Sequence, residues 1–289
     1  MSRPKFTIVT ASFNSIGTIR DTIESIITQD CKDWEHWVID GGSTDGTLEL
    51  IRQYPHIKFI SERDSGLYEA MNKGIARASG EILLMLNSDD CLTLGALSAV
   101  AGGFAKNPEW DAAFADIIFV DNQGREIYRR EEAQYDYQIL RLSGVCYVIH
   151  QTLYVKKSLY DRIGAYRYRD FVIAADYEFI LRMGRHNAKV GHIPEYVVRY
   201  RIHDRGLTAD ERAQRKMKTE IARIGQEYGR PGGLIGKALR IATRAKRQFQ
   251  KLALRGKIDI IPGNVKLQKY MQAKSNVASN ALDKLEAQK

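Results

Sequence analysis

Short apolar runs and helically spaced apolar residues alternate through the first hundred positions of the chain. Residues 6–10 are an unbroken apolar and β-branched run, which predicts a buried strand, and Ala11-Ser-Phe-Asn-Ser15 predicts the loop leaving it. Ile19, Ile23, Ile26 and Ile27 recur at helical spacing within residues 16–29. Residues 37–40 read as a second strand ending on Asp40. Gly41-Gly-Ser-Thr-Asp45-Gly46 follows as a tight turn, with Ser43 or Thr44 as the helix cap. Residues 57–61 predict a third strand. Asp64-Ser-Gly66 then turns into a helix carrying Tyr68, Ala70, Met71, Ile75 and Ala76, closed by Gly80. Residues 83–86 form a fourth strand that runs out at Asn87-Ser-Asp89-Asp90. This alternation predicts a parallel, doubly wound α/β sheet.

Beyond residue 100 the pattern loosens. Residues 112–120 and 124–130 predict two strands joined by Asp121-Asn-Gln-Gly124, hence an antiparallel pair. Residues 145–155 alternate weakly and contain His150-Gln151-Thr152. Ala174-Ala-Asp176-Tyr-Glu178 opens a helix reaching about residue 185, and residues 196–202 predict a last strand before His203-Asp204-Arg205-Gly206. The expected organisation is a first half over 1–100, a second half over 101–208, and a basic helical tail over 209–289.

Net charge changes the picture of the tail. The chain of 289 residues carries +9 overall. Residues 1–210 hold 25 Lys and Arg against 29 Asp and Glu, a balance of −4, and residues 211–289 hold 19 against 6, or +13. From 233 to 257 there are eight basic residues and no acidic one. Leu234, Ala238, Ile241, Ala245, Phe249 and Leu252 share one helical face. Lys237, Arg240, Arg244, Arg247, Lys251 and Arg255 share another. This composition predicts an amphipathic helix lying on an anionic membrane surface through residues 233–257. The alternative is a helix docked on the domain with its basic face in water. No apolar run is long enough to span a bilayer, and the short run after Met1-Ser-Arg-Pro-Lys5 predicts no signal peptide. Cys31, Cys91 and Cys146 are isolated, which fits a reducing, cytoplasmic setting.

The candidate chemistry begins at Asp89 and Asp90. Two carboxylates at the end of a buried strand are costly unless a positive partner meets them, and the carboxyl ends of parallel strands are where ligands bind. A divalent cation shared with a phosphate is one such partner; capping of the helix that follows is the alternative.

Taken together, Ala11-Ser-Phe-Asn14, Val38-Ile-Asp40-Gly-Gly-Ser-Thr-Asp-Gly-Thr47, Gly66-Leu-Tyr-Glu-Ala-Met-Asn-Lys-Gly74, Ala78-Ser-Gly-Glu-Ile82 and Leu86-Asn-Ser-Asp89-Asp90 resemble a family 2 glycosyltransferase, in that family's order and over most of residues 5–205. The resemblance implies a GT-A fold, an inverting reaction and a nucleotide-sugar donor, UDP- or GDP-linked. It implies that Asp90 holds Mg²⁺ or Mn²⁺ against the diphosphate, with Asp89 on the ribose or assisting the metal. The family's motif usually reads Asp-x-Asp, and its first place here is Ser88 or Asn87. Ala11 and Phe13 would line the nucleotide pocket and Asp40 would read the base or ribose, where its alternative is a turn residue bonded to its own loop. Asp64 would be a further pocket residue, or a cap for the next helix.

Asp176 matches the family's base position, where a carboxylate takes the acceptor hydroxyl's proton; its alternative is a helix N-terminal acid. Glu178 is the second candidate base on the acceptor side. His203 resembles the late histidine that completes the metal site, where an imidazole would favour Mn²⁺. His150 and Gln151 would lie on the acceptor side. The acceptor implied is a polysaccharide or lipid-linked glycan at the inner membrane face. Two other classes compete. A sugar-nucleotide nucleotidyltransferase would open with a glycine-rich basic loop, which Ala11-Ser-Phe-Asn14 is not. A nucleic-acid-binding protein would need aromatics among the tail's cations, and no nucleic acid is expected.

Overall fold

The computed structural model describes residues 3–203 and 211–255. β1 (Phe6–Ser12), α1 (Ile19–Ile27), β2 (Trp34–Asp40), α2 (Thr47–Ile51), β3 (Ile57–Ser61), α3 (Leu67–Arg77) and β4 (Ile82–Met85) form the alternating half that the sequence predicts. β2 and β4 flank β1, and β3 pairs with β2, all parallel. Strands covered on both faces have no solvated side, so β1 and β4 are buried along their whole length and read as continuous apolar runs. β1 runs two residues further than expected, because Ala11 and Ser12 pair with Ile39 and Asp40.

Helices cover the two faces. Ile19 and Ile23 pack with Val38, Leu50, Ile51 and Ile57. Tyr68, Met71 and Ile75 of α3 belong to the larger core with Val9, Leu83, Phe114 and Phe179. α3 crosses β1 so closely that a Cβ at Gly74 would stand 2.2 Å from Val9 Cγ1, so only glycine fits there.

The second half is β5 (Cys91–Leu92), α4 (Ala96–Lys106), β6 (Ala112–Val120), β7 (Glu126–Arg130), α5 (Tyr137–Ser143), β8 (Leu153–Lys156), α6 (Lys157–Ile163), α7 (Ala175–Arg185) and β9 (Val190–Arg201). The sheet runs β3-β2-β1-β4-β8-β6-β9-β5, with β7 on β6. β6 and β7 form the expected antiparallel pair, and β8 is antiparallel to both β4 and β6. β9 is parallel to β6 and antiparallel to β5. It starts six residues earlier than predicted and passes through Pro194. Pairing to β6 skips from Ile193 to Tyr196, so the proline, which has no N–H to give, falls in the irregularity.

The chain divides into a compact unit over Met1–Arg244 and a second from Ala245. α8 (Glu211–Glu227) lies in the first unit. The boundary expected at 208/209 and the residues after His203 to 210 lie outside the described residues, as does the tail from 256. α9 (Gly233–Arg255) is the amphipathic helix that the tail pattern predicts, and Leu234, Ile235 and Ile241 are exposed on it. Among the described residues no helix is long and apolar enough to cross a membrane.

Candidate active site

The carboxyl ends of β1, β2 and β3 meet in two laced loops. Asn14, at φ 47°, donates its N–H to Ser43 Oγ at 2.8 Å and accepts the Thr44 N–H through its side-chain oxygen at 2.9 Å. Ser15 N donates to Thr47 Oγ1 and Ile16 N to Asp45. The Gly41–Thr47 motif is thus scaffold for the β1 loop, and the scaffold leaves the Phe13 ring 65% exposed beside buried Ala11. An exposed aromatic held by a rigid loop is suited to stack on a planar base.

Asp40 departs from its expected role. It is fully buried, and its Oδ2 accepts from Gly42 N at 3.0 Å, Ser43 N at 2.8 Å and Ser61 Oγ at 2.7 Å, while Ser43 Oγ donates to Oδ1. Four donors saturate the carboxylate, so it organises its own turn and has no face left for a ligand. Asp64 stands in the opening instead. Its Oδ2 is 3.1 Å from where a Cβ at Gly41 would be, and Phe13 Cδ2 is 3.3 Å from the same point. Glycine at 41 makes room for that carboxylate beside the ring. Burial, with Glu69 and Asp40 nearby, raises the Asp64 carboxyl above its usual range.

The second group forms where β4 ends and β9 ends. Asp89 Oδ2 lies 2.7 Å from His203 Nε2, and both side chains remain partly open to solvent. Asp90 lies beneath, 1% exposed. Its Oδ1 accepts the Arg201 N–H at 2.9 Å, while Oδ2 is buried without a hydrogen bond of ordinary length. Burial, then the charge of Asp89, push the Asp90 carboxyl well above the usual range against the pull of Arg201. Arg201 was not singled out from sequence. Its guanidinium donates to the Asp89 and Asn122 carbonyls and pairs with Asp21 at 2.9 Å, pinning β9 to the acidic turn. Its only sequence signal is its place two residues before His203.

Among the described residues no three His, Cys, Asp or Glu side chains converge on one metal-sized point. The residues present nonetheless fit a hard divalent cation that keeps several positions for phosphate oxygens. Asp89 and His203 offer one oxygen and one nitrogen at an open edge, and Asp90 adds a buried carboxylate oxygen without a hydrogen bond of ordinary length. Asp89 is the acid that faces His203, and Asp90, the expected metal ligand, lies buried with one oxygen lacking a hydrogen bond of ordinary length.

Asp176 is the second residue of α7 and is half-buried. Tyr68, missed from sequence as a functional residue, lies against it. Burial and the Asp176 carboxylate raise that phenol well above its usual range, and the Tyr68 hydroxyl donates to the Ile173 carbonyl at 3.1 Å. His150 is buried, with Nε2 2.7 Å from Tyr166 Oη. Burial lowers its pKa, and Asp176 pulls the other way. His150 and Gln151 are both buried, and His150 packs against Tyr166 and Tyr68. Glu178 also departs from expectation. It is fully buried, with Oε2 3.0 Å from Arg182 Nη2 and Oε1 2.8 Å from the Tyr228 hydroxyl, so its charge is spent on holding helices together.

Burial, then the charges of Asp90, Asp89 and Asp176, raise the Tyr200 phenol on β9 above its usual range. The arrangement offers an exposed aromatic on a laced loop, an acidic edge at Asp89 and His203, and a separate half-buried carboxylate at Asp176.

A family model described as "Glycosyl transferase family 2" matches residues 7–176. A PGL/p-HBAD biosynthesis glycosyltransferase of Mycobacterium tuberculosis is 31% identical over 205 residues, covering 68% of this chain and 77% of that protein. S. aureus TarS 1–349 in complex with UDP-GlcNAc superposes with a TM-score of 0.60 at 20% identity, covering 88% of this chain and 77% of that one. The chain spans 43% of the longer TarS structure. A mannosyltransferase from Pyrobaculum calidifontis in complex with GDP-Man and Mn²⁺ superposes with a TM-score of 0.60 at 19% identity, covering 98% and 81%.

Proposed function

As the chain belongs to glycosyl transferase family 2 and has a GT-A-type α/β fold, we propose that it inverts the anomeric centre as it moves one sugar from a UDP- or GDP-linked donor to a glycan or lipid-linked acceptor. The observation that carries this reading is the pairing of Asp89 with His203 at 2.7 Å over buried Asp90, with Asp176 as a separate carboxylate at the start of α7. A cation edge and a separate proton acceptor are the two things a single displacement at an anomeric carbon needs.

In this reading Phe13 stacks on the base, Ala11 lines the pocket and Asp64 contacts the base or ribose. Asp89 and His203 would hold Mn²⁺ or Mg²⁺, with Asp90 beside them. The bound cation would neutralise the diphosphate and so stabilise it as a leaving group. Asp176 accepts the acceptor hydroxyl's proton while that oxygen forms its bond to the anomeric carbon. The bond from that carbon to the diphosphate oxygen breaks on the opposite side, and its electron pair leaves with the nucleotide. Tyr68, which lies against Asp176 and donates to the Ile173 carbonyl, positions that carboxylate. The relatives support a nucleotide-sugar donor, since the structural neighbours carry UDP-GlcNAc and GDP-Man.

The acceptor would meet the enzyme at the inner membrane face. Exposed Leu234, Ile235 and Ile241 on α9, next to Lys237, Arg240 and Arg244, give that helix an apolar stripe flanked by cations. Calorimetric titration with a panel of UDP-, GDP- and dTDP-linked sugars and Mn²⁺ tests the donor reading. One or more should bind, with affinity lost on chelation, and a panel with no binder would overturn it.

A further inference from the structure

The N-terminus of α7 carries Asp176 but has no side-chain cap of its own; its N-cap residue is Ala174. The backbone just ahead of it is held from elsewhere. Glu220, on α8, is 7% exposed and points its carboxylate into that segment. Oε1 accepts the Val172 N–H at 3.0 Å, and Oε2 accepts those of Ile173 and Ala174, each at 2.9 Å. Three successive amides aimed at one carboxylate form the anion-binding concavity that backbone N–H groups make in such turns, filled here by a side chain 46 residues downstream.

The grip continues on the other side of Asp176. Tyr228 donates to Glu178, and Arg230 Nη2 lies 2.8 Å from Tyr177 Oη. Ile224 of α8 is fully buried in the main core, so the helix is firmly seated. Residues 177 and 178 are thus fixed by the segment after α8, and residues 172–174 by Glu220. The carbonyl of Ile173 also accepts the Tyr68 hydroxyl, and Tyr68 is the side chain that lies against Asp176. A shift of residues 172–174 therefore moves both the carboxylate and its neighbour. Glu220, Ile224, Tyr228 and Arg230 all lie beyond residue 176, where the family match ends.

We propose that Glu220 is a positioning residue for the catalytic base, fastening the three amides ahead of α7 and so setting where the Asp176 carboxylate stands in the cleft. This rests on the reading of Asp176 as the base. Its effect belongs to the chemical step, because its hydrogen bonds go to residues 172–174, ahead of Asp176, and not to Ala11, Phe13, Asp64, Asp89 or His203.

The test uses the full chain with Mn²⁺ and the tightest-binding nucleotide-sugar of the panel, reading release of nucleoside diphosphate per donor-binding molecule. Glu220→Gln keeps the size but replaces one acceptor oxygen by a donor. Glu220→Asp keeps the charge but draws both oxygens back by one methylene, and it reads the same quantity if the amide variant does not fold. Each should lower kcat about tenfold, as small misplacements of a catalytic group do, with donor KM within about twofold. Placed in an Asp176→Asn background, the same changes should lower kcat by less than about twofold further, because a residue acting through another is not additive with it. Unchanged kcat in the single variants, or losses that multiply in the double variants, would overturn the proposal while leaving Asp176 in place. A wild-type kcat for Asp176→Asn alone would overturn the base reading and this proposal with it.

Discussion

Asp89 and His203 stand 114 positions apart in the chain and meet at 2.7 Å between Oδ2 and Nε2. The contact joins the end of the first, parallel half to the end of the last strand, at the edge where a diphosphate would sit. Asp89→Asn and His203→Ala should each weaken Mn²⁺-dependent binding of UDP or GDP, by about 10- to 100-fold. Binding without metal should change little. Asp90→Asn should behave differently. The protein already disfavours a charge at that buried site, so the metal-free variant should melt no lower than wild type. Calorimetry with and without EDTA, alongside thermal melts, separates the three. Equal Mn²⁺ dependence in all variants would remove Asp89 and His203 from the cation site.

Asp176→Asn preserves the size of the side chain but cannot accept a proton. Turnover should fall by about 10²-fold or more, while donor affinity stays within about twofold, as expected for an interaction made only in the transition state. A well-folded variant with normal turnover would end the assignment. Glu178, committed to Arg182 and Tyr228, offers no replacement.

Asp40 and Asp64 should separate stability from binding. Asp40→Ala leaves the amides of Gly42 and Ser43 and the Ser61 hydroxyl without their acceptor, a loss of about 2–4 kcal/mol in a chemical denaturation curve. Asp64→Ala should unfold close to wild type and bind nucleotide about tenfold more weakly. The reverse pattern would return Asp40 to the nucleotide.

Acid sensitivity should show at Glu35. Burial alone would raise this carboxyl, but Lys58, Thr7 and Ser79 donate to it and hold it at about 2, against 4.5 in an unperturbed chain. An acid whose pKa is lower when folded contributes stability that is complete above about 4.5 and drains away as the pH falls towards 2. Thermal melts of Glu35→Gln between pH 6 and 2.5 should therefore be less stable than wild type at the upper end and flatter through that window. Parallel curves would show that Glu35 does not carry this dependence.

Membrane contact should depend on the α9 cations. Replacing Lys237, Arg240 and Arg244 by Gln removes three charges worth about 1 kcal/mol each near an anionic surface, or about 100-fold in partitioning at low salt. Cosedimentation with phosphatidylglycerol vesicles reads this directly. A wild-type protein that stays in the supernatant at low salt would exclude the interfacial helix.

How much of this was legible in the sequence follows from what leaves a side-chain signature. The opening strands and helices were readable because a strand buried on both faces carries an unbroken apolar run, and a helix packed on one face repeats its apolar residues every three or four positions. β5, with two residues, and β8, with four, are too short for any periodicity to register. Asp40 and Asp64 look alike in sequence, since a carboxylate at a strand end reads the same whether its loop folds over it or away from it. Asp176 stands out through its motif, but the contacts of Glu220 with the turn ahead of it do not, because its partners are backbone amides and nearly every residue has one.

The place of β9 in the sheet has a consequence for synthesis on the ribosome. It slots between β6 and β5, strands made seventy or more residues earlier, and it delivers Tyr200, Arg201 and His203 to the acids at the end of β4. A nascent chain that has emerged only as far as α6 already has the pieces of the nucleotide pocket. It lacks His203, Arg201 and Asp176. Docking of a distant strand is a slow, non-local event, so the Asp89–His203 contact forms only once the last strand is in place, and on the proposed reading a half-made chain would not yet spend its activated sugar on water.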